Sequence, residues 1–166
     1  MGAHDYDLLV IGSGPAGHRA AIQAAKLGQR VAVVEKKAVV GGVCINTGTI
    51  PSKTLREAAL HLSGYRERGV YGSSYAVKKH ITMRDLLFRV DQVIGNEIDV
   101  ARHQLDRNDV DVLTGEAAFL DPHRVELTAE DRPRQVVSGR VVVVAVGTTP
   151  VDPVGVPCDH ERVFTS

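Results

Sequence analysis

Three residues in one short segment could take part in redox or cofactor chemistry: the cysteine, the second threonine and the lysine of GGVCINTGTIPSK. Cys44 is a potential redox thiol, but no second cysteine lies near it in the sequence. Thr49 comes just before a predicted helix, and a hydroxyl cannot form a disulfide. Lys53 lies within that helix and carries a fixed positive charge. The segment therefore has the composition of a redox loop without a pair of thiols.

A second group of residues has the spacing of a dinucleotide-binding turn. Gly12, Gly14 and Gly17 form the pattern G-x-G-x-x-G in VIGSGPAG. The first glycine permits a tight turn, the second lets a pyrophosphate approach the backbone, and the third allows close packing of helix against strand. The helix that begins here offers free N–H groups and the positive end of its dipole to phosphates. The pattern predicts a dinucleotide site.

Glu35 supports that prediction. It ends the next apolar run, close to the offset of about 20 residues at which an acidic residue is expected after the motif. Its carboxylate would accept hydrogen bonds from the adenosine ribose and would repel a phosphorylated ribose. These residues favour FAD or NAD over NADP. The alternative is a glycine-rich turn of similar fold that binds no nucleotide.

The hydrophobic pattern predicts the elements that position these residues. The apolar run from Tyr6 to Ile11 predicts a buried strand, the alanine-rich segment from Pro15 to Leu27 a helix, and the segment from Val31 to Glu35 a second strand. Such a βαβ unit is right-handed and builds a parallel sheet.

Further along the chain, residues 36–50 are predicted to form a glycine-rich loop. A helix is expected from Ser52 to about Gly64, with Ser52 or Thr49 as its cap or as a phosphate contact. Residues 69–80 are expected to be irregular. A long helix is predicted over residues 83–107, opened by a capping box of Thr82 and Asp85.

After this helix, the period of the hydrophobic pattern changes from that of a helix to that of β-strands. Five segments are predicted as strands: 110–113, 117–120, 124–127, 135–137 and 141–146. The fold class is therefore α/β, a Rossmann-like doubly wound parallel sheet with an antiparallel β-meander inserted over residues 117–137. With three parallel strands the sheet has an unfinished edge, so we expect the chain to be truncated at its C-terminus.

Composition excludes several classes of function. Lys+Arg and Asp+Glu are equal at 20 each, so no bulk charge favours nucleic acid or an anionic membrane surface. The longest apolar run, 141–146, is too short to span a bilayer, and the N-terminus lacks the features of a secretory signal. Two cysteines do not make a disulfide framework, and no histidine has metal-ligand spacing. We expect a cytoplasmic protein that binds neither nucleic acid nor membrane.

Together these motifs resemble those of the flavin-dependent pyridine nucleotide–disulfide oxidoreductases. GSGPAG, Glu35, the GGVC loop and the later VAVGTTP follow that family's order and spacing. The resemblance implies FAD as the cofactor. It covers only the first part of the family's architecture, so residues 1–166 are expected to be an incomplete FAD-binding domain without the NAD(P)-binding and dimerisation domains. For the full-length protein it implies a homo-oligomer.

Most members of that family carry two cysteines, C-x4-C, whose redox disulfide lies against the flavin. Thr49 occupies the second position, so this pair cannot carry out dithiol chemistry. NTGTIPSKTLREA is similar throughout to one branch, the soluble FAD-dependent pyridine nucleotide transhydrogenases. That similarity implies hydride transfer between NADPH and NAD+ through FAD, with NAD(H) and NADP(H) as substrates of the full-length enzyme and an inactive isolated chain.

Two alternatives stay open. The protein could be another flavoprotein reductase of the same family, acting on a quinone, a metal ion or a dye, or resembling dihydrolipoamide dehydrogenase, although Thr49 argues against a disulfide substrate. It could also be a non-catalytic fragment that binds FAD.

The resemblance also implies roles for single residues. It places Cys44 beside the flavin as a packing residue and Lys53 near the flavin ring, where positive charge stabilises the reduced cofactor. The simpler interpretations are a buried apolar thiol and a solvated lysine. No residue is assigned as catalytic. The predicted cofactor-binding residues are Gly12, Gly14, Pro15, Ala16, Gly17, Glu35, Lys36, Gly41, Gly42, Val43, Cys44, Thr49, Lys53, Ala117, Ala145, Val146 and Gly147.

Overall fold

A computed structural model of the chain describes residues 4–130, 132–159 and 161–163. The strands are β1 (Tyr6–Ile11), β2 (Val31–Glu35), β3 (Val110–Thr114), β4 (Glu116–Asp121), β5 (Arg124–Ala129) and β6 (Arg132–Val144). The helices are α1 (Pro15–Lys26), α2 (Gly42–Asn46), α3 (Thr49–Ser63), α4 (Arg68–Tyr71) and α5 (Met83–Asp106).

The strands form one six-stranded sheet in the order β3-β2-β1-β6-β5-β4. Strands β3, β2, β1 and the second half of β6 are parallel, whereas β4, β5 and the first half of β6 are antiparallel. The predicted α/β class, with a parallel sheet and an antiparallel meander, is confirmed. The parallel part has four strands rather than three, because β3 and β6 both join the β1–β2 pair.

Strand β6 differs from the prediction, since 13 continuous residues replace the two segments 135–137 and 141–146. Residues up to Ser138 pair with β5, and residues from Gly139 pair with β1. The polar stretch at 138–140 hides this continuity in the sequence. Gly139 marks the change of partner, where an added Cβ would lie 2.7 Å from the Cβ of Leu9. The meander is therefore an extension of the same sheet.

Two hydrophobic clusters cover the two faces of the parallel strands, because successive side chains of a strand point to opposite faces. Helices α1 and α5 cover one face, where the buried cluster is Val10, Ala21, Val31, Val33, Val40, Ala101, Leu105 and Val110. The meander covers the other face, where the buried cluster is Leu9, Ala32, Val34, Val125, Leu127 and Val137. Helices thus lie on one face of the described sheet and antiparallel strands on the other.

Three local predictions need correction. The loop expected over 36–50 contains α2, which follows Gly41 in the left-handed conformation at φ 105°. Helix α3 begins at Thr49 rather than Ser52, and its N-cap is Gly48, which provides no side-chain hydrogen bond. The Oγ of Ser52 instead donates to the carbonyl of Thr49 at 3.2 Å. The irregular segment over 69–80 begins within the short helix α4.

The other helix predictions are confirmed. Helix α1 ends at Lys26, just before Gly28 at φ 78°. Helix α5 opens with the predicted capping box: the Thr82 side chain accepts from the Asp85 N–H, and the Asp85 carboxylate accepts from the Thr82 N–H at 2.8 Å. None of the helices in the described ranges is long and apolar enough to cross a membrane.

His18 joins α1 to α5 through a buried imidazole. The side chain is 9% exposed, and its Nε2 lies 3.3 Å from the carbonyl oxygen of Ala101. Burial lowers the pKa of His18, and the charge of Arg19 lowers it further, against the opposing effect of the Ala101 carbonyl. Folding therefore favours the neutral imidazole.

We expect the free energy of unfolding to fall as pH drops below the ordinary histidine pKa of about 6.5, because the unfolded chain then takes up a proton that the fold resists. His18→Gln should reduce the loss of stability between pH 7.5 and pH 5.5, as measured by urea unfolding. His61→Gln, at an exposed position of α3, is the control and should leave that loss unchanged. An equal loss in all three proteins would contradict this assignment.

Candidate cofactor-binding site

The turn between β1 and α1 lies at the carboxyl end of the parallel strands. The Gly12 N–H donates to the Val34 carbonyl at 2.8 Å, and the Ala145 N–H donates to the Ile11 carbonyl at 2.8 Å. The ends of β2 and β6 are thereby fixed on either side of the turn. In open α/β sheets, ligands bind outside this edge, where neighbouring strands connect in opposite directions.

Backbone packs directly on backbone at this turn. Gly12 has φ 104°, and a Cβ added to it would lie 2.3 Å from the carbonyl oxygen of Ala145. A Cβ on Gly17 would lie 1.9 Å from the carbonyl oxygen of Gly12. Real Cβ atoms do not approach other atoms this closely, so only glycine fits both positions. The expected close packing of α1 on β1 is thus observed.

A second glycine pair brings the cysteine segment onto the same turn. Gly42 has φ 60°, and a Cβ added to it would lie 2.8 Å from the Cα of Gly14. Gly14 is also the N-cap of α1 and carries no side chain between the helix terminus and solvent. The two glycine-rich segments therefore meet backbone to backbone, as a cradle for a polyphosphate requires.

Helix α1 presents its N-terminus at this junction. Pro15 is its first residue, where the missing N–H costs no hydrogen bond, and Pro15 and Ala16 are exposed. The first turn of a helix has backbone N–H groups without intrahelical partners, and they lie at the positive end of the dipole. The geometry suits an anionic group at Gly14–Gly17.

Glu35 is held in place by its own surroundings. Its Oε2 accepts hydrogen bonds from the N–H of Ser13 at 3.1 Å and from the Ser13 hydroxyl. Its Oε1 accepts from the Lys37 N–H at 3.0 Å, and its backbone carbonyl accepts from the Gly115 N–H at 2.9 Å. The carboxylate is partly exposed and stands beside the glycine turn. It is therefore oriented before any ligand binds.

Cys44 and Thr49 lie on two different helices that follow one another closely. Cys44 is partly exposed within α2, and Thr49 is the exposed first residue of α3. The N–H groups of Thr47 and Gly48 both donate to the Val43 carbonyl, which closes the connection. Lys53 is exposed one turn further along α3. Cys44 and Cys158 are both free thiols in the described structure.

Of the other predicted residues, Ala145 and Val146 lie against Gly12, since a Cβ added to Gly12 would lie 2.3 Å from the Ala145 oxygen and 3.3 Å from the Val146 Cα. Lys36 and Val43 are exposed. Ala145 packs against the first hydrophobic cluster, and Val146 and Gly147 are exposed beyond the end of β6. The side chain of Ala117 packs in the second cluster, so only its backbone is available for an adenine contact. It follows Gly115, which binds the Glu35 carbonyl.

Sequence reasoning missed Ser13, which is completely buried between the first two glycines of the motif. Its hydroxyl also accepts a hydrogen bond from the Gly41 N–H at 3.1 Å. The sequence offers one signal for this role: Ser13 is a small polar residue at the first variable position of the G-x-G-x-x-G pattern. Its partners lie 22 and 28 residues away, so no local pattern reveals them.

An open cavity of about 540 Å³ lies at the opposite end of the strands. It is lined by His4, Asp5, Tyr6, Arg30, Val31, Asp109 and Asp111. The Tyr6 hydroxyl donates to Asp111 at 2.9 Å, and burial together with this carboxylate raises the pKa of Tyr6 to about 12. Among the described residues no group of histidine, cysteine and carboxylate side chains could hold a metal ion.

Residues 6–166 match the family of pyridine nucleotide-disulphide oxidoreductases. The chain belongs to this family. The chain is 53% identical over 98% of its length to a soluble pyridine nucleotide transhydrogenase of Mycobacterium tuberculosis (strain ATCC 25177 / H37Ra), and 37% identical over 98% to one of Sodalis glossinidius (strain morsitans). It spans 35% of the length of each of these relatives.

Among solved structures the chain is similar to the HOCl-induced flavoprotein disulfide reductase RclA from Escherichia coli. The Cu(II) complex of that protein superposes with a TM-score of 0.74 at 27% identity, covering 92% of this chain and 31% of that one. Another structure of RclA gives a TM-score of 0.69 at 28% identity, covering 90% and 30%. The family and these flavoprotein neighbours imply a flavin cofactor.

Because Gly17 contacts the Gly12 carbonyl, we expect one added methyl group at Gly17 to lower the stability of the fold substantially. Gly17→Ala should lower the free energy of unfolding by about 2–3 kcal/mol, because α1 must move away from β1. The measurement is urea unfolding followed by circular dichroism.

Gly95→Ala is the matched control, since Gly95 lies in α5 with nothing within 4 Å of an added Cβ. It should raise stability by about 0.5–1 kcal/mol through helix propensity. If the two substitutions had the same effect, the close packing at Gly17 would be wrong.

Proposed function

The turn at Gly12–Gly17 and the segment at Gly41–Gly42, which meet backbone to backbone, are called the cradle below. We propose that the cradle binds FAD and that the protein is a pyridine nucleotide transhydrogenase. FAD would lie with its pyrophosphate at Gly12, Gly14 and the N-terminus of α1, and its ribose at Glu35. The fit rests on the glycine backbone contacts, on the oriented carboxylate and on the helix terminus. When bound, the flavin accepts and donates hydride.

The observation that carries the proposed reaction is Thr49 at the first position of α3. A thiol at a helix N-terminus would have a lowered pKa and could exchange with a disulfide, whereas a threonine hydroxyl cannot. Cys44 therefore has no partner in the loop with which to pass two electrons on to a disulfide substrate. Direct exchange of hydride between the flavin and a second nicotinamide needs no thiol pair. The names of the relatives at 53% and 37% identity support this proposal.

The residues around the loop have supporting roles in this proposal. Lys53 has no hydrogen-bond or ion-pair partner among the described residues, so its charge is available to a ligand. Val43 and Val146 are apolar side chains, 57% and 66% exposed, that a bound ring system would cover. Cys44 acts as a small packing residue. The backbone at Ala117, Ala145 and Gly147 would contact the nucleotide.

The wider assignments rest on the relatives. We propose that residues 1–166 are the N-terminal part of an FAD-binding domain, since the chain spans 35% of the length of those proteins. NAD(H) and NADP(H) would be substrates of the full-length enzyme, which would be a homo-oligomer in the cytoplasm. The isolated chain would not catalyse the reaction.

A second candidate is a flavoprotein reductase that delivers electrons to a metal ion or a quinone. The similarity to RclA, solved as a Cu(II) complex, favours this candidate. Its weakness is the lower identity to RclA, 27%, against 53% and 37% to the relatives named transhydrogenases.

Acceptor specificity of the full-length protein separates these functions. We expect FAD-loaded protein to oxidise NADPH at least 10-fold faster with thio-NAD+ as the acceptor than with a quinone, Cu(II) or oxidised lipoamide, because the proposed flavin site exchanges hydride with nicotinamides and has no thiol pair to reduce a disulfide. The rates are followed by absorbance, and flavin-free protein is the control. Fast reduction of Cu(II) or quinone without thio-NAD+ reduction would overturn the transhydrogenase assignment.

A further inference from the structure

Ser13 connects two segments that the proposed function uses separately. It lies between Gly12 and Gly14 and has no exposed surface. Its hydroxyl bonds both to the Glu35 carboxylate and to the N–H of Gly41, which precedes α2. The ribose-binding carboxylate and the loop that carries Cys44 are thus joined through one oxygen atom.

The direction of these hydrogen bonds is fixed by chemistry. A hydroxyl has one donor and two acceptor sites, and an ionised carboxylate can only accept. The hydroxyl proton must therefore point to Glu35, which leaves the oxygen lone pairs for the Gly41 N–H. The bond to the carboxylate is charge-assisted and hence stronger than a neutral one. Gly41 is buried, so its N–H would be costly to leave without a partner.

We propose that Ser13 is a positioning residue for nucleotide binding, an inference that rests on the proposed FAD site. Its hydroxyl and its N–H supply two donors to Oε2 of Glu35, and Lys37 supplies one to Oε1. The same hydroxyl anchors the start of α2, where Gly42 contacts Gly14. Loss of this oxygen loosens the carboxylate and the loop together.

The coupling between Ser13 and Glu35 is tested by a double-mutant cycle on FAD affinity. We expect Ser13→Ala to raise the FAD dissociation constant about 10-fold, because a buried hydrogen bond to a charged group is lost. In a Glu35→Gln background the same change should cost less than 3-fold. Ser13→Cys, which fills the space of the hydroxyl with a somewhat larger group and a weaker donor, repeats the test without a cavity. Equal costs in both backgrounds would refute the coupling to Glu35.

Hydrogen exchange of the Gly41 amide tests the loop anchor without any flavin. In flavin-free protein, Ser13→Ala should accelerate exchange at Gly41 about 10-fold. Ser63→Ala is the control, since it removes another partly buried hydroxyl, bonded to the Leu60 carbonyl at 3.1 Å, far along α3. It should leave Gly41 unchanged.

The two measurements separate the possible failures. Unchanged exchange at Gly41 in Ser13→Ala refutes the anchor, whatever the affinity for FAD. If the wild-type protein bound no FAD, the proposed function and this role of Ser13 would both fail, whereas accelerated exchange would still establish the Ser13–Gly41 bond. Faster exchange combined with a non-additive loss of FAD affinity supports the proposal.

Discussion

The site depends on direct contact between backbones at the turn after β1. Gly12 lies against the Ala145 carbonyl, and Gly17 lies against the Gly12 carbonyl. These contacts leave no room for a side chain, and they place the first turn of α1 at the carboxyl end of the sheet. Every other part of the cradle is positioned relative to this turn. The glycines are thus required by packing, whether or not a ligand binds.

The rest of the fold supplies the surfaces that hold this turn. Helices α1 and α5 cover one face of the parallel strands, and the meander covers the other. Strand β6 belongs to both parts, because it pairs with β5 before Gly139 and with β1 after it. The end of β6 then presents Ala145 to Gly12. The meander thereby contributes to the site through the placement of one strand.

The parts of the structure that could be predicted from the sequence are those with local signals. The bounds of β1 and β2, the stop of α1 before Gly28 and the capping box at Thr82 all depend on neighbouring residues. The continuity of β6 could not be predicted, because it depends on pairing with strands distant in sequence. Helix α2 was missed because glycines at its start have low helix propensity.

In the candidate site, too, some residues have local sequence signals and others depend on contacts between distant parts of the chain. The glycine pattern and Glu35 were recognisable because motif spacing encodes their chemistry. Ser13 was not, since its role depends on contacts with Glu35 and Gly41 that only the folded chain creates. Thr49 was recognised by resemblance, and the structure adds its place at the first position of α3. The spacing of the motif residues can thus be read from the sequence, whereas the hydrogen bonds that orient Glu35 and Gly41 cannot.

Titration of the flavin-free protein with FAD tests the central claim most directly. The account predicts saturable binding at one FAD per chain, seen as a protein-bound flavin absorbance band that survives gel filtration. Circular dichroism of the same sample reports whether the chain is folded. A folded protein that retains no flavin at saturating FAD would contradict the assignment of the cradle.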